Sequence, residues 1–382
     1  MGGWFPSTCA SRMEAPLVSA TLIVRNEERF LDGCLDSLQG FADEIILVDT
    51  GSTDATHAIA ENRGIPVHSF PWTDDFSVAR NHALGLARGQ WIFYIDADER
   101  VSGGGSAVRQ SLLDRSYLGL QVLLTPRVGA TPYWIMRLWR NHPSIRFRGI
   151  IHENMWPALM EYQAAHGGVI GDSLLEMEHF GYEDDHTRKN ERNLPLLEKA
   201  LEADPERIFS WCHLASIHLD QGRSADAVGA WRKAIELVRR REYSVHDDTL
   251  PWVGLIQFEM TRQGDASELL EEALARFPSD LQFPWLMGRF LMERDRFAEA
   301  IPFFERLAQA GETRLFSHHA SYDVRMLGVL AYENLATCHF RLHGWKEAAR
   351  YYDLALAKEP KRMDLRAKRS VASSKAGSAS GK

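Results

Sequence analysis

The chain has 382 residues, 45% hydrophobic and 25% charged, proportions that exclude a disordered or fibrous protein and suit an ordinary globular one. That length favours two domains. A formal net charge of −8 argues against a nucleic-acid binder and leaves small molecules or proteins as partners. The four cysteines, Cys9, Cys34, Cys212 and Cys338, are far apart and form no CxxC pair, which speaks against a disulfide framework or a zinc site and suits a reducing compartment.

Residues 1–16 lack periodicity and are expected to form a flexible tail, within which Met13 is an alternative start. No apolar run reaches the length of a bilayer span, and the N-terminus lacks the charged-then-apolar order of a signal peptide, so no transmembrane segment and a cytoplasmic location are expected. From residue 17 the pattern alternates strand and helix. VSATLIV reads as a buried strand, and NEERFLDGCLDSL as a helix with Phe30, Leu31, Cys34, Leu35 and Leu38 at helical spacing. EIILVD is a second strand. STDATHAIAENRG is a helix with a Ser/Thr/Asp cap and a closing Gly64. PVHSF, FSVARNHALGLARG and WIFYI continue as strand, helix and strand. The alternation predicts an α/β domain over 17–184, a Rossmann-like, mostly parallel sheet covered by helices. Ligands of such sheets bind at the carboxyl ends of the strands. Three polar clusters lie there: RNEE, DTGSTD and DADE.

Over 185–360 helices take over and a repeat emerges. Trp211, Leu214, Ala215, His218, Ala227, Trp231 and Ala234 fall at the offsets of a tetratricopeptide helix pair. The frame recurs at Val253, Gly254, Ala266, Leu270, Ala273 and Pro278, then at Met287, Gly288, Leu291, Ala300 and Phe304, and again at Tyr332, Leu335, Ala336, Ala348, Tyr352, Ala355 and Pro360. The equivalent small residues Ala215, Gly254, Gly288 and Ala336 stand 39, 34 and 48 residues apart, so loop insertions are required, with GETRLFSHHASYD the best candidate. RNLPLLEKALEADP resembles the second helix of a degenerate further unit. A generic helical bundle is the alternative. Residues 361–382, with seven Lys or Arg against one Asp, are expected to be a disordered basic tail.

The chemistry centres on YIDADER. No glycine-rich phosphate loop follows the first strand, where the chain reads VRNEER, so dinucleotide and P-loop sites fit poorly. A diphosphate must then be neutralised another way. Asp96 and Asp98, on alternate residues of an extended segment with the small Ala97 between them, suit a hard divalent cation that contacts both phosphates. Solubilising surface charge is the alternative.

SATLIVRNEERFLDGCLDSL, DEIILVDTGSTDAT, DDFSVARNHAL and GQWIFYIDADE resemble, in order, the blocks of a family 2 glycosyltransferase with the GT-A fold. More narrowly, the chain is similar to the bacterial subgroup in which tetratricopeptide repeats follow that domain, which includes bacteriocin S-glycosyltransferases; lipopolysaccharide-core glucosyltransferases share the N-terminal blocks. The resemblance covers about residues 18–182, and the repeats extend it to about 360. It implies a metal-dependent, inverting hexosyl transfer from a nucleotide-sugar donor, a UDP-sugar in the first instance, with Mg²⁺ or Mn²⁺ on the DXD motif. It implies that Val24, Arg25, Asn26, Glu27 and Asp49 grip base and ribose, a task for which a carboxylate is suited, and that Thr50, Gly51 and Ser52 line the turn beside the nucleotide. For Asn26 and Asp49 helix capping is the alternative. Arg80 is implied at the diphosphate, against a solvated helix arginine. Asp96, Ala97 and Asp98 would complete the donor site.

Glu153 of IIHEN resembles the catalytic base that a one-step displacement needs, and His179 of EHFGY a third metal ligand; His152 fits either role. Structural polar groups at a sheet edge are the alternative for His152, Glu178 and His179. The Glu-Asp pair that carries the base in the commoner family pattern is missing between Arg100 and Tyr182. WIMRLWRNHPSIRFRG, rich in Trp and Arg, reads as a sugar or acceptor wall or as edge-strand packing. The acceptor remains open among a peptide, a glycan and a small molecule, and the repeats offer a surface for a peptide, a protein or a second copy of the chain. Two other functions stay in view. One is a non-catalytic scaffold with a vestigial nucleotide-sugar site, and the other a nucleotidyltransferase, although its usual glycine-rich, basic first loop is missing.

Overall fold

The computed structural model describes residues 15–181, 186–241, 246–313 and 321–380. The first fourteen residues, including Met13, lie outside the described residues, as does part of the expected insertion at 311–323. The chain divides into two compact units. One holds the chain up to Leu123 with Ile135–Gly149 and Glu153–Gly181; the other holds Leu124–Trp134, Ile150–His152 and residues 182–382. Among the described residues no helix is long and apolar enough to cross a membrane.

The first unit is built on an eight-stranded sheet. Its strands are β1 (Val18–Val24), β2 (Glu44–Asp49), β3 (Val67–Ser69), β4 (Trp91–Tyr94), β5 (Glu99–Gly103), β6 (Tyr117–Thr125), β7 (Tyr133–Arg140) and β8 (Val169–His179), in the order β3-β2-β1-β4-β7-β6-β8-β5. Helices α1 (Leu31–Ser37), α2 (Thr56–Asn62), α3 (Phe76–Leu86), α4 (Gly105–Ser111) and α5 (Trp156–His166) connect them. β1 is buried on both faces, with Ser19 and Thr21 as enclosed as Val18, Ala20 and Leu22; only a central strand flanked by partners and covered above and below needs that pattern. The expected parallel order holds for β3, β2, β1 and β4. Beyond them the sheet is mixed, because β7 pairs antiparallel with β4 and β8 antiparallel with β5.

Two helices start later than their apolar spacing suggests. The first, expected from Asn26, begins at Leu31, and the second, expected from Ser52, at Thr56. The intervening backbone is bonded elsewhere: Asn26 N–H donates to Ser52 Oγ, Glu27 N–H to Thr56 Oγ1 and Glu28 N–H to Asp54 Oδ2. Short polar side chains thus compete with the first helical turn, as their chemistry favours. α3 starts at Phe76, the first residue of its expected segment, with Asp75 accepting from Val78 N–H at 3.2 Å.

The second unit is helical. After α6 (His186–Ala203) come the pairs α7 (Ile208–Asp220) with α8 (Ser224–Arg239), α9 (Leu250–Thr261) with α10 (Ser267–Arg276), α11 (Gln282–Met292) with α12 (Phe297–Thr313), and α13 (Val329–Arg341) with α14 (Trp345–Lys358). Each expected frame falls on one pair. The small residues are small for a measurable reason. A Cβ on Gly288 would stand 2.7 Å from the Phe304 ring and one on Gly254 2.5 Å from Trp231 Nε1, so helix crossing and aromatic filling exclude any side chain there. The expected disordered tail is instead α15 (Met363–Ser380). Leu365 and Ala372 are fully buried in the helical core, and Lys368 and Arg369 pair with Glu333 and Asp353. Basic composition suggested solvation, but two apolar residues seven apart and a set of ion pairs are enough to lay a last helix on the stack.

Gly104, just after β5, has φ 77°, and a Cβ there would lie 1.7 Å from the Leu174 carbonyl oxygen of β8. Gly104→Ala is therefore expected to destabilise the sheet unit by about 2–3 kcal/mol. Urea unfolding measures this, and an unchanged midpoint would refute the close approach.

Candidate active site

Parallel pairing brings the carboxyl ends of β1, β2 and β4 to one edge of the sheet, with Val24 opposite Asp49 and Thr21 opposite Tyr94. The loops after β1 and β2 are knitted together there. Asn26 takes the left-handed conformation, φ 59°, which its short polar side chain tolerates, and its Oδ1 accepts from Thr53 N–H at 2.7 Å. Ala55 N–H donates to Glu28 Oε2 at 3.0 Å. Val24 is buried, Arg25 exposed and Glu27 half-buried.

Asp49 is almost wholly taken up by its own turn. Its carboxylate accepts from the N–H groups of Gly51 and Ser52, each at 3.0 Å to Oδ2, and from the Ser52 hydroxyl. His57 Nε2 stands 3.0 Å from the same Oδ2. Burial works against its charge, but the bonds from Ser52 and His57 outweigh that and hold the carboxyl below the usual range. Thr50 likewise donates its hydroxyl back to the Val24 carbonyl. Within this turn Asp49 and Thr50 act as shape-giving groups; Asp49 caps no helix, because α2 begins at Thr56 with Ala55 as its N-cap. Gly51, φ 112°, would have nothing within 4 Å of a Cβ, so the open side of the turn is bare backbone.

The second cluster lies at the end of β4. Arg80 on α3 is 8% exposed. Its Nη2 donates to Asp96 Oδ1 at 2.8 Å, its Nε to Glu153 Oε1, and its guanidinium lies 4.2 Å from the centroid of the Tyr94 ring. Burial opposes the guanidinium charge, yet Asp96, Tyr94 and Glu153 outweigh it and keep Arg80 firmly charged. Tyr94 OH reaches Asp96 Oδ2 at 3.3 Å. Desolvation works against the Asp96 carboxylate too, but Arg80 and Arg137 prevail and hold it below the usual range.

This arrangement departs from the expected pairing of Asp96 with Asp98 on one cation. Asp96 is engaged by Arg80, whereas Asp98 turns to His179, with Oδ2 and Nε2 3.2 Å apart. Their meeting follows from register, since β5 and β8 pair Glu99 with His179, and from Gly181, where a Cβ would sit 1.9 Å from Asp98 Oδ2. Burial disfavours an imidazolium at His179, but the Asp98 bond and charge raise its pKa overall. Among the described residues no group of three or more His, Cys, Asp or Glu is arranged to share a cation. The donor set nevertheless fits one: a carboxylate oxygen and an imidazole nitrogen, both partly exposed, converge, and a hard divalent ion that takes its other ligands from substrate oxygens needs no more from the protein. Ala97 between them is 3% exposed. Arg80, expected at the diphosphate, is instead a buried partner of two carboxylates.

His152 does not join this cluster. It belongs to the helical unit, where its Nε2 lies 2.6 Å from His213 Nδ1, its ring packs edge-on to Phe209, and its carbonyl accepts from Arg207. The neighbouring Glu153 belongs to the sheet unit. A one-residue step separates the two because the chain turns sharply at His152, φ 54°.

Three neighbouring residues, Glu99, Arg137 and Arg100, lay in the stretches singled out above but outside the set of donor, metal and base candidates. Glu99, 2% exposed, accepts from Asp96 N–H at 3.0 Å and from Arg137 Nη2; burial pushes its pKa up to about 7, with Arg137 opposing and Asp96 adding to the rise. Arg137 on β7 is 4% exposed and lies 3.9 Å from the centroid of the Tyr94 ring. Arg100 donates to the carbonyls of Ala97, Glu99 and Phe30 and fills the space of a Cβ on Gly33, 2.7 Å from its Nε, so it staples the acidic loop to α1. The signal for Arg137 was present in WIMRLWR: an arginine amid apolar strand residues must find a buried partner.

Residues 19–116 match the family model "Glycosyl transferase family 2", and residues 254–314 match a tetratricopeptide repeat model. A TPR repeat-containing protein of Synechococcus elongatus is 33% identical over 275 residues, 70% of this chain and 66% of that protein. The SPbeta prophage-derived glycosyltransferase SunS of Bacillus subtilis is 28% identical over 51% of this chain and 47% of its own length. The lipopolysaccharide core biosynthesis glycosyltransferase LpsC of Rhizobium meliloti is 36% identical over 31% of this chain and 43% of its own. The chain thus spans from under half to about two thirds of the length of these curated relatives. The α/β unit with its acidic edge is a glycosyltransferase domain. It is one of family 2, joined in this chain to tetratricopeptide repeats.

His152 also sets a pH dependence. Burial, with the charges of His213 and Arg207, lowers its pKa to about 3, against about 6.5 in an unfolded chain. Between those values the unfolded state binds the proton and the folded state does not, so stability falls as pH drops from 6.5 towards 3. His152→Asn should flatten that slope in melting midpoints taken across pH 4–7; an unaltered slope would count against a buried neutral imidazole.

Proposed function

We propose that this chain is an inverting glycosyltransferase that moves a sugar from a nucleotide-sugar donor, a UDP-sugar first, to a peptide, glycan or small-molecule acceptor in the cytoplasm. The observation that supports it best is the convergence, at the carboxyl edge of β1, β2 and β4, of a bare-backbone turn at Gly51 with the Asp98–His179 pair and the Arg80–Asp96–Glu153 network. The turn leaves room for a nucleotide against the loops of Asn26 and Ser52. Asp98 and His179 would hold Mg²⁺ or Mn²⁺, whose charge would neutralise the departing diphosphate. Asp96, fixed by Arg80 and Tyr94, presents a half-exposed carboxylate to donor hydroxyls. Glu153 is the group assigned to take the acceptor proton, and Arg80 sets its position. The repeats would carry a peptide or protein acceptor, or a second copy of the chain.

The test is a panel of nucleotide sugars with Mn²⁺, Mg²⁺ or EDTA, with transfer and donor hydrolysis read by mass spectrometry. Turnover should need the cation, and Asp98→Ala should lower it by about 100-fold or more. Failure of the wild type to bind any donor would remove the enzyme reading and leave the scaffold. Glu153→Gln keeps the size of the side chain and removes the base. It should cut kcat by about 10²–10⁴-fold with donor affinity little changed; an unaltered kcat would place the base elsewhere.

A further inference from the structure

The buried Arg137–Glu99 pair has no part in the roles just assigned, and an idle ion pair would be a poor occupant of the interior. Burying two charges is rarely worth more than an apolar pair of the same volume, and among the described residues the Nε and Nη1 of Arg137 have no hydrogen-bond partner. β7 already lies among apolar neighbours: Met136, Leu138 and Trp139 on the same strand are buried. A leucine or methionine at 137 would satisfy packing alone.

What distinguishes Arg137 is where its two contacts lead. Its Nη2 donates to Glu99 Oε1, and the other oxygen of that carboxylate accepts from the backbone N–H of Asp96 at 3.0 Å. Its guanidinium carbon lies 3.9 Å from the centroid of the Tyr94 ring, whose hydroxyl reaches Asp96 Oδ2 at 3.3 Å. Nη2 itself is 4.0 Å from that oxygen. One path thus fixes the backbone of Asp96 and the other its side chain. Arg80 meets Asp96 from α3, with its guanidinium carbon 4.2 Å from the centroid of the Tyr94 ring.

We infer that Arg137 is a positioning residue of the donor site, which holds Asp96 in the orientation that binds the donor in the transition state through Glu99 on one side and Tyr94 on the other. The inference deepens the glycosyltransferase reading and rests on it. Arg137 touches no substrate; its effect passes through Asp96. Lysine can supply the charge to Glu99 but not the plane that lies on Tyr94, so the two paths separate by substitution.

The experiment measures kcat, donor KM and melting midpoint for wild type, Arg137→Met, Arg137→Lys, Asp96→Asn and the Arg137→Met/Asp96→Asn double variant, with donor and cation held constant. Arg137→Met should lower kcat by about 30-fold or more while donor KM changes by less than about threefold, and Arg137→Lys should recover part of the loss. The double variant should be hardly worse than Asp96→Asn alone, because both changes remove one device. If Arg137→Met does not fold, Glu99→Gln with Arg137→Lys makes the same comparison. A lower midpoint with kcat within twofold of wild type, or losses that multiply in the double variant, would overturn the inference and leave the ion pair structural. A wild type inert towards every donor is a different result: it overturns the glycosyltransferase reading, and Arg137 loses its proposed role with it.

Discussion

Two guanidinium groups and three carboxylates meet at the carboxyl end of β4, and each is tolerable there only because of the others. Arg80 and Arg137 lie on either side of the acidic loop in sequence, on α3 and β7, and both guanidinium carbons lie over the Tyr94 ring. Asp96, Glu99 and Glu153 answer them. Removal of one member of a buried pair leaves an uncompensated charge, a loss of about 3–5 kcal/mol. The cluster therefore constrains five segments of chain at once. The acidic edge is held in place by the two buried guanidinium groups bonded to it.

The loops after β1 and β2 follow the same logic with weaker bonds. Ser52, Asp54 and Thr56 accept from the backbone N–H groups of Asn26, Glu27 and Glu28 that a longer first helix would have used, and the Asn26 side chain accepts in return from Thr53 N–H. The result is a pair of short, mutually bonded turns in place of two extra helical turns, with the Gly51 backbone uncovered between them. Glycine and short polar residues are what such a surface requires, because a larger side chain at Gly51 would face strain at φ 112° and would cover the backbone. In the helical unit the economy is reversed. There Gly254 and Gly288 are small because Trp231 and Phe304 occupy their space, and the repeat frame is a record of those close approaches.

The first four strands, their parallel order and the repeat pairs were legible because each depends on a local pattern: a short apolar run for the strands, a spacing of about three and a half for the helices, and a fixed offset for the repeats. The candidate site was legible in part. Asp96, Asp98, Arg80, Glu153 and His179 do gather at one edge of the sheet, and the polar clusters after three strands announced it. Their partners were not legible. The spacing of Asp96 and Asp98 suggested one shared cation, yet a peptide turn at residues 96–99 sends them to Arg80 and His179, which lie sixteen residues before and eighty-one after. His152 and Glu153 are adjacent in the chain, yet they fall in different units, with His152 in the left-handed conformation at the step between them.

By itself the sequence determined the order of elements, the polar edge and the family whose blocks it carries, since these rest on residue type and spacing along one line. Only the tertiary structure decided that Asp49 closes its own turn, that Arg80 is buried between two carboxylates, that Arg137 pairs with Glu99 beside Asp96, and that the basic C-terminal stretch packs as a helix. Each of those outcomes is a choice of partner for a charged or polar group leaving water. Such a choice depends on which groups lie within about 3 Å in space, a distance that separation along the chain does not encode.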